Sequence, residues 1–431
     1  MLKSLKFIIV IVFLFMDRSL AITFDEILKH ALKNSPDIKI SSLDINLASN
    51  DLDYAYSYFY PTLSLALNSE YSKRFDDGYN SVYVGESSLA GSTTFQNSAS
   101  LILRYDILKF GADYYRKESA KQKIETMSFK KCDDELNLAL EILENYKKVL
   151  ILKNSLNINS QKIDIYETLL DYTKRLNKIG EKSKLDVADI NINLSQIKDE
   201  ILSAKTQTAY ALNMISMLSN LDINDAFDFN DFNIQKNYEF LDFKDTFMAM
   251  QIVSKIKEDE LNIKSLESSF YPTISFYAKY DFYGDDKDRY WKSVQDSKKY
   301  GYRVGISFTW DIFDGGRKNA QLNRARLENE QNKLKLKAAN LKYDKEIMDM
   351  RNFKNNEEET LKNLELLSKE SKKLKDMSLS LNKNGQSDKI TVLNQTINAL
   401  NKEQSLKENI INAGYNLTKA DLIAKQKRWC E

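Results

Sequence analysis

The sequence predicts a mostly α-helical chain, written twice, that also carries four membrane-type β-strands. Three observations predict this. The stretch YPTLSLALNSEYS at 60–72 alternates apolar and polar residues, and it returns at 271–284 as YPTISFYAKYDFYG. Only 3 prolines and 12 glycines interrupt 431 residues, so helices can run long. Between the strands, leucines and isoleucines recur every seven residues, the seam of helices packed as coiled coils.

The elements follow in order. Residues 1–21, MLKSLKFIIVIVFLFMDRSLA, join Lys3 and Lys6 to an apolar core at 7–16 and the small residues Ser19 and Ala21. That order reads as a secretory signal peptide cleaved after Ala21. Its net charge is +2, which leaves −1 of the chain's +1 for the rest and argues against a general nucleic-acid binder. No later run of eighteen apolar residues exists, so no transmembrane helix is expected.

The first repeat, 22–219, opens with a helix over 24–58 that Pro36 can break. Strands at about 60–72 and 99–109, a 67-residue helix at 112–178 and a returning helix at 185–218 follow. An acidic, aromatic linker covers 220–243 without helical periodicity. The second repeat, 244–431, has a helix to about 269 and strands at about 272–284 and 301–313. A second 67-residue helix at 317–383 and a returning helix at 390–425 complete it. Each long helix would extend about 100 Å at 1.5 Å per residue. Tyr105-Asp106-Ile107 aligns with Trp310-Asp311-Ile312 at the same offset that places Gly180 on Gly385, so the segment between has kept its length. The heptad runs are Leu136, Leu143, Leu150, then Leu156, Ile163, Leu170, then Leu367, Leu374, Leu381. Ile390, Leu393, Ile397 and Leu400 add steps of 3, 4 and 3.

The strands are two-faced. Leu63, Leu65 and Leu67 alternate with Thr62, Ser64, Ala66 and Asn68. Leu101, Leu103, Tyr105 and Ile107 alternate with Ser100, Arg104 and Asp106, Ile102 breaking the pattern. Ile274, Phe276, Ala278, Tyr280 and Phe282 face away from Thr273, Ser275, Lys279 and Asp281. Val304, Ile306, Phe308, Trp310 and Ile312 face away from Arg303, Ser307, Thr309 and Asp311. Alternation is commonest in a half-buried sheet on a soluble core. Here the strands are about ten residues long, which crosses a bilayer at a tilt, and Tyr60, Tyr71, Tyr271, Tyr283 and Trp310 sit near strand ends like an interfacial girdle. A lipid-facing sheet must close, because an open edge leaves amides unpaired in hydrocarbon. Four strands cannot close. Eight would be filled by side chains, and twelve from three chains would leave a polar bore.

Several duplicated markers resemble the TolC-like outer membrane efflux proteins. They are the YP-T-[LI]-S strand entries at Pro61 and Pro272, the [YW]-D-I-x-x-x-G strand-to-helix junctions (Asp106 with Gly111, Asp311 with Gly316), and the L-N-K-x-G turns at Gly180 and Gly385. The start at 22–39, ITFDEILKHALKNSPDIK, is similar to theirs too, and the resemblance runs from about 22 to 425. It implies a homotrimer in the outer membrane of a Gram-negative cell. Its twelve-stranded barrel would continue as a helical tunnel across the periplasm and serve as the exit duct of a tripartite efflux pump or type I secretion system. The implied partners are outer-membrane lipid, a periplasmic adaptor (membrane fusion) protein and an inner-membrane pump of RND, ABC or MFS type, which would supply the energy. A rival reading is a non-transporting envelope coiled coil or adhesin with a small membrane anchor.

Catalytic chemistry is missing from the pattern. His30 is the only histidine, which leaves no His-based metal site or triad, and Gly315-Gly316 lacks the Lys-Ser/Thr of a phosphate loop. No enzyme and no cofactor are expected. Cys132 and Cys430 lack metal-ligand spacing, and both would stand about 70 Å above the tunnel tip. The periplasm permits a disulfide, but equal height does not place the two on facing helices, so pairing stays open. The family's acidic constriction maps six and nine residues after Gly385, where this chain has Thr391 and Asn394. The matching positions after Gly180 are Asp186 and Asp189. Two readings stand there: a ring of carboxylates attracting cations, or acids favoured at a helix N-terminus.

Overall fold

A computed structural model of the chain describes residues 21–71, 95–224, 227–232, 240–297 and 299–426. The signal-peptide expectation for 1–20 and the cysteine at 430 lie outside the described residues.

The chain opens with β1 (Ala21–Ile22), α1 (Phe24–Asn34) and α2 (Pro36–Ser57). Thr23 and Glu26 form a capping box that starts α1. Pro36 begins α2, where its missing N–H costs nothing and its fixed φ suits the first helical turn. Strands β2 (Thr62–Tyr71) and β3 (Phe95–Leu108) lead to α3 (Ala112–Lys178) and α4 (Lys184–Ser219). After β4 (Asp228–Phe229) and a 3-10 turn (Phe243–Asp245) come α5 (Phe247–Ser268), β5 (Thr273–Asp286) and the short α6 (Tyr290–Gln295). β6 (Lys299–Thr309), α7 (Arg317–Lys383) and α8 (Lys389–Ala424) complete the described chain. Both long helices have 67 residues and both returning helices 36.

Two compact units cut across the sequence repeats. One comprises 1–42, 129–249 and 339–431, the other 43–128 and 250–338. The core of the first gathers Ile27, Leu28 and Ala31 of α1, Leu136, Ala139, Ile142, Leu143 and Tyr146 of α3, and Ala211, Leu212 and Ile215 of α4. The linker is partly structured there. β4 pairs in parallel with β1, and Phe229 and Phe232 lie against the Tyr146 ring. The Tyr146 hydroxyl donates to the Asn230 carbonyl at 2.7 Å and lies 3.1 Å from the Ile22 carbonyl. His30 has a structural place, its Nδ1 2.9 Å from the Ser219 carbonyl.

The second unit holds an antiparallel sheet in the order β2-β3-β5-β6. Among the described residues, the outer edges of β2 and β6 pair with no strand. The helices attached to these strands are linked in the same order. Lys123 of α3 pairs with Asp51 of α2 at 2.6 Å. Ser265 and Ser254 of α5 bond the Ala112 carbonyl and Thr126 of α3. Arg326 and Asn332 of α7 bond Glu267 and Asp259 of α5. So α2 and α7 are the edge helices, as β2 and β6 are the edge strands.

Three local differences from the expected pattern have physical causes. A bulge between Asp106 and Leu108 takes Ile107 out of the alternation and puts Leu108 on the apolar face opposite Ile274. β6 ends at Thr309, so Trp310, Asp311 and Ile312 lie beyond it, and the Trp310 indole N–H donates to the Phe270 carbonyl at 3.1 Å. Leu367, Leu374 and Leu381 lie on an exposed face of α7 rather than in a seam within this chain.

Candidate functional site: the two-faced sheet and the tip turns

The register places the sheet's alternating residues on two continuous faces. Leu65 stands opposite Leu101, Leu101 opposite Tyr280, and Tyr280 opposite Tyr302. One row over, Leu63, Leu103, Ala278 and Val304 align. Leu63, Leu65 and Leu67 on one edge and Tyr302, Val304, Ile306 and Phe308 on the other are all more than 60 % exposed. An apolar surface this broad marks contact with lipid or protein. The opposite face carries an ionic ladder. Asp281 accepts from the Ser100 hydroxyl at 2.6 Å and meets Lys279 at 3.0 Å and Arg303 at 3.3 Å. Asp106 accepts from the Ser275 hydroxyl at 2.6 Å and pairs with Lys109 at 2.9 Å. Each carboxylate is thus held by a hydroxyl from the neighbouring strand and by nearby cations, of which Arg303 reaches across from β6, which fixes the polar face without a dry core.

Sequence alternation missed Tyr277 on this polar face. Its ring lies over Gly305, where an added Cβ would sit 2.6 Å from the phenolic oxygen, so glycine is required. The only readable sign was a glycine inside a strand, which often marks close approach. Also unforeseen was α6, docked at the sheet end. Asn97 bonds Ser293, and a Cβ on Gly284 would strike the Ser293 carbonyl at 2.2 Å.

The strand-to-helix junctions repeat with one substitution. Gly111, Gly315 and Gly316 all have positive φ, and Phe110 takes the left-handed conformation at φ 51° where the second copy has Gly315. The Phe110 ring packs 5.3 Å from that of Tyr271, just before the Pro272 entry, which offsets the strain. Asp311 pairs with Lys318 at 3.2 Å, and Asp314 accepts from the Gly316 and Lys318 N–H groups to start α7.

The tip turns are duplicated to the atom. Gly180 and Gly385 have φ of 84° and 73°. The Asn177 and Asn382 carboxamides each donate across the turn at 2.7 Å, to the Lys182 and Ser387 carbonyls. Asp186 is engaged in a capping box: it accepts from the Ser183 N–H and hydroxyl, both at 2.8 Å, and its own N–H donates to the Ser183 oxygen. Those bonds hold its carboxyl below the usual range. Asp189 is exposed, as are Thr391 and Asn394. In the second copy Asp388 caps α8 by accepting from the Thr391 N–H at 2.8 Å. A buried polar cluster escaped the sequence reading: Lys162 bonds Gln404 at 3.0 Å, and Asn159 bonds Glu200 at 3.2 Å. Burial holds the Lys162 amine below its ordinary pKa. Among the described residues, no group of three or more His, Cys, Asp or Glu could hold a metal ion, and no helix is long and apolar enough to cross a membrane.

The sequence pattern of the outer membrane efflux protein family matches residues 27–220. The match ends where the first repeat ends, but solved structures of outer membrane proteins and channels cover both copies. VceC from Vibrio cholerae is 15 % identical with a TM-score of 0.73, over 93 % of this chain and 96 % of its own. The Campylobacter jejuni outer membrane channel CmeC is 16 % identical with a TM-score of 0.76, over 94 % and 84 %. The open-state MtrE channel of Neisseria gonorrhoeae is 16 % identical with a TM-score of 0.72, over 94 % and 88 %. No curated protein matches the chain significantly. The fold of these outer membrane proteins therefore extends through the second repeat.

Proposed function

We propose that three copies close a twelve-stranded barrel in the outer membrane, and that the assembly is the exit duct of a tripartite efflux pump or type I secretion system. The observation that carries this is the sheet: one exposed apolar face, one ionic face and two edges that pair with no strand among the described residues. In hydrocarbon those edges must pair, and β6 of one copy meets β2 of the next in the antiparallel sense already used inside the chain. Twelve strands leave a bore lined by Arg104, Lys279, Asp281 and Arg303. A periplasmic adaptor and an inner-membrane pump of RND, ABC or MFS type complete the line, since no nucleotide-binding motif is present here.

Purified trimers in a planar bilayer should conduct ions. Assembled trimers without conductance would favour the structural coiled-coil reading. At the tips, Asp186 and Asp189 of three chains supply six carboxylates to a cation-attracting constriction. Asp186→Ala with Asp189→Ala should raise conductance or antibiotic leakage, and unchanged leakage in an assembled trimer rejects the ring. Pairing of Cys132 with Cys430 predicts different gel mobilities before and after reduction; equal mobilities with two alkylatable thiols reject it.

A further inference from the structure

The apolar face of the sheet stops short of the end remote from the long helices. Its last apolar row is Leu67, Ala99, Phe282 and Tyr300. The next row on that face is Ser69, Asn97 and Gly284, and beyond it stand Tyr71, Phe95 and Asp286. The short helix α6 folds back over this polar gap, on the apolar side of the sheet. Asn97 bonds the Ser293 hydroxyl, Ser293 is fully buried, and a Cβ on Gly284 would strike the Ser293 carbonyl. The Tyr290 ring meets Phe95 edge-on at 6.0 Å, and Phe95 lies 4.9 Å from Tyr71. The polar row is thus occupied in holding the helix, and the helix presents new apolar surface in its place. Trp291 is 73 % exposed, beside the exposed Tyr290, Val294 and Tyr300. Lys287, Arg289 and Lys292 are exposed around it, and Lys292 reaches the Asp286 carboxylate at 3.6 Å.

We infer that α6 is an interfacial anchor: it lies in the outer leaflet against the barrel wall, with Trp291 among the upper acyl chains and Lys287 and Arg289 at lipid phosphates. This placement rests on the proposed barrel, which makes the apolar face the lipid face. Gly284 is two residues beyond Phe282, so α6 crosses the wall about 7 Å past the last apolar row. That is the headgroup boundary, where indole and phenol rings are favoured and where an interfacial helix buries its apolar side by about 5–10 Å. Bare, the Asn97 carboxamide would face lipid without a partner, at a cost that the Ser293 bond removes. The occupant is lipid because the patch continues the wall. A protein partner would cover about 20–30 residues a side, and α6 has six.

The chain has three tryptophans, so Trp310→Phe with Trp429→Phe leaves Trp291 as the single fluorophore. Reconstituted in phospholipid vesicles, its emission should be quenched more by lipids brominated just below the headgroup than by lipids brominated at mid-chain. Aqueous iodide should quench it less than in the urea-unfolded chain. Val304→Trp in a background without other tryptophans is the reference for the middle of the wall, and mid-chain bromine should quench it more. A Trp291 that neither lipid quenches, or that mid-chain bromine quenches more, overturns the anchor while a quenched Val304→Trp leaves the barrel. A Val304→Trp that neither lipid quenches overturns the barrel as well. Where the double replacement prevents assembly, the wild-type signal less that of Trp291→Phe gives the same reading. Gly284→Val drives a side chain into the Ser293 carbonyl and should lift α6, raising the iodide quenching of Trp291; unchanged quenching overturns the docking.

Discussion

Leu136 of α3 and Leu341 of α7 occupy the same position in the two copies, yet one is 7 % exposed and the other 71 %. One heptad on, Leu143 is fully buried while Met348 is 65 % exposed. Tyr146 is buried and its counterpart Arg351 is exposed. The first copy has an extra helix before its strand approach. There α1, with Phe229 and Phe232 of the linker, lies over the middle of α3. Among the described residues the second copy has a 3-10 turn at that place, with Tyr343 bonded to the Leu241 carbonyl at 2.7 Å. Duplication has preserved the backbone plan and its length, but it has not preserved the core. The first copy finds its packing partners within the chain, and the second leaves apolar faces for neighbours.

The widest test of that contrast substitutes aspartate at the paired positions. Leu143→Asp buries a charge and should cost more than about 4 kcal/mol, whereas Met348→Asp should change folding of the chain by no more than about 0.5 kcal/mol. Denaturant unfolding in detergent, followed by circular dichroism, measures both, and equal losses would break the comparison. A smaller effect is expected from Tyr146→Phe, which leaves the Asn230 carbonyl without its donor and should cost about 1–3 kcal/mol, while Arg351→Ala stays near neutral. Smallest are the tips, where the copies should behave alike: Ser183→Ala and Asp388→Ala should each cost about 1 kcal/mol of local helix stability.

Acid sharpens the last case. Bonds from Thr391 depress the Asp388 carboxyl, and bonds from Ser183 depress that of Asp186. Each group's stabilising contribution is full above the ordinary carboxylate pKa and is lost as pH falls through the lower folded value. Amide protection in the first turns of α4 and α8 should fall in that window. Asp388→Ser should abolish the acid sensitivity of α8 alone.

Much of this was written locally. Heptad leucines and the scarcity of proline make the long helices legible, and the glycines at 180 and 385 mark turns that need positive φ. Period-two alternation reveals the faces of β2, β5 and β6, because one face is apolar along its whole length. The start of β3 is not legible: Gln96, Asn97 and Ser98 are polar on both sides, and only pairing with Glu70, Ser69 and Asn68 of β2 and with Asp285, Gly284 and Tyr283 of β5 makes them strand. The β1–β4 pairing, the docking of α6 and the Lys162–Gln404 bond join residues far apart in the chain, which no local pattern encodes. At the tips, spacing identified Asp186 but not its bonds: Ser at N-cap and Asp three residues on satisfy each other, a capping role that stands beside the proposed ring.

The equal span of α3 and α7 constrains how this protein can evolve. Inserting one residue in either helix would turn everything beyond it by about 100° and lift its tip by about 1.5 Å relative to the other. Apolar rows would then face water, and the two hairpin ends would lie at different levels. Viable changes in reach should therefore come as whole heptads, about 10 Å at a time, entered in both halves of the gene together.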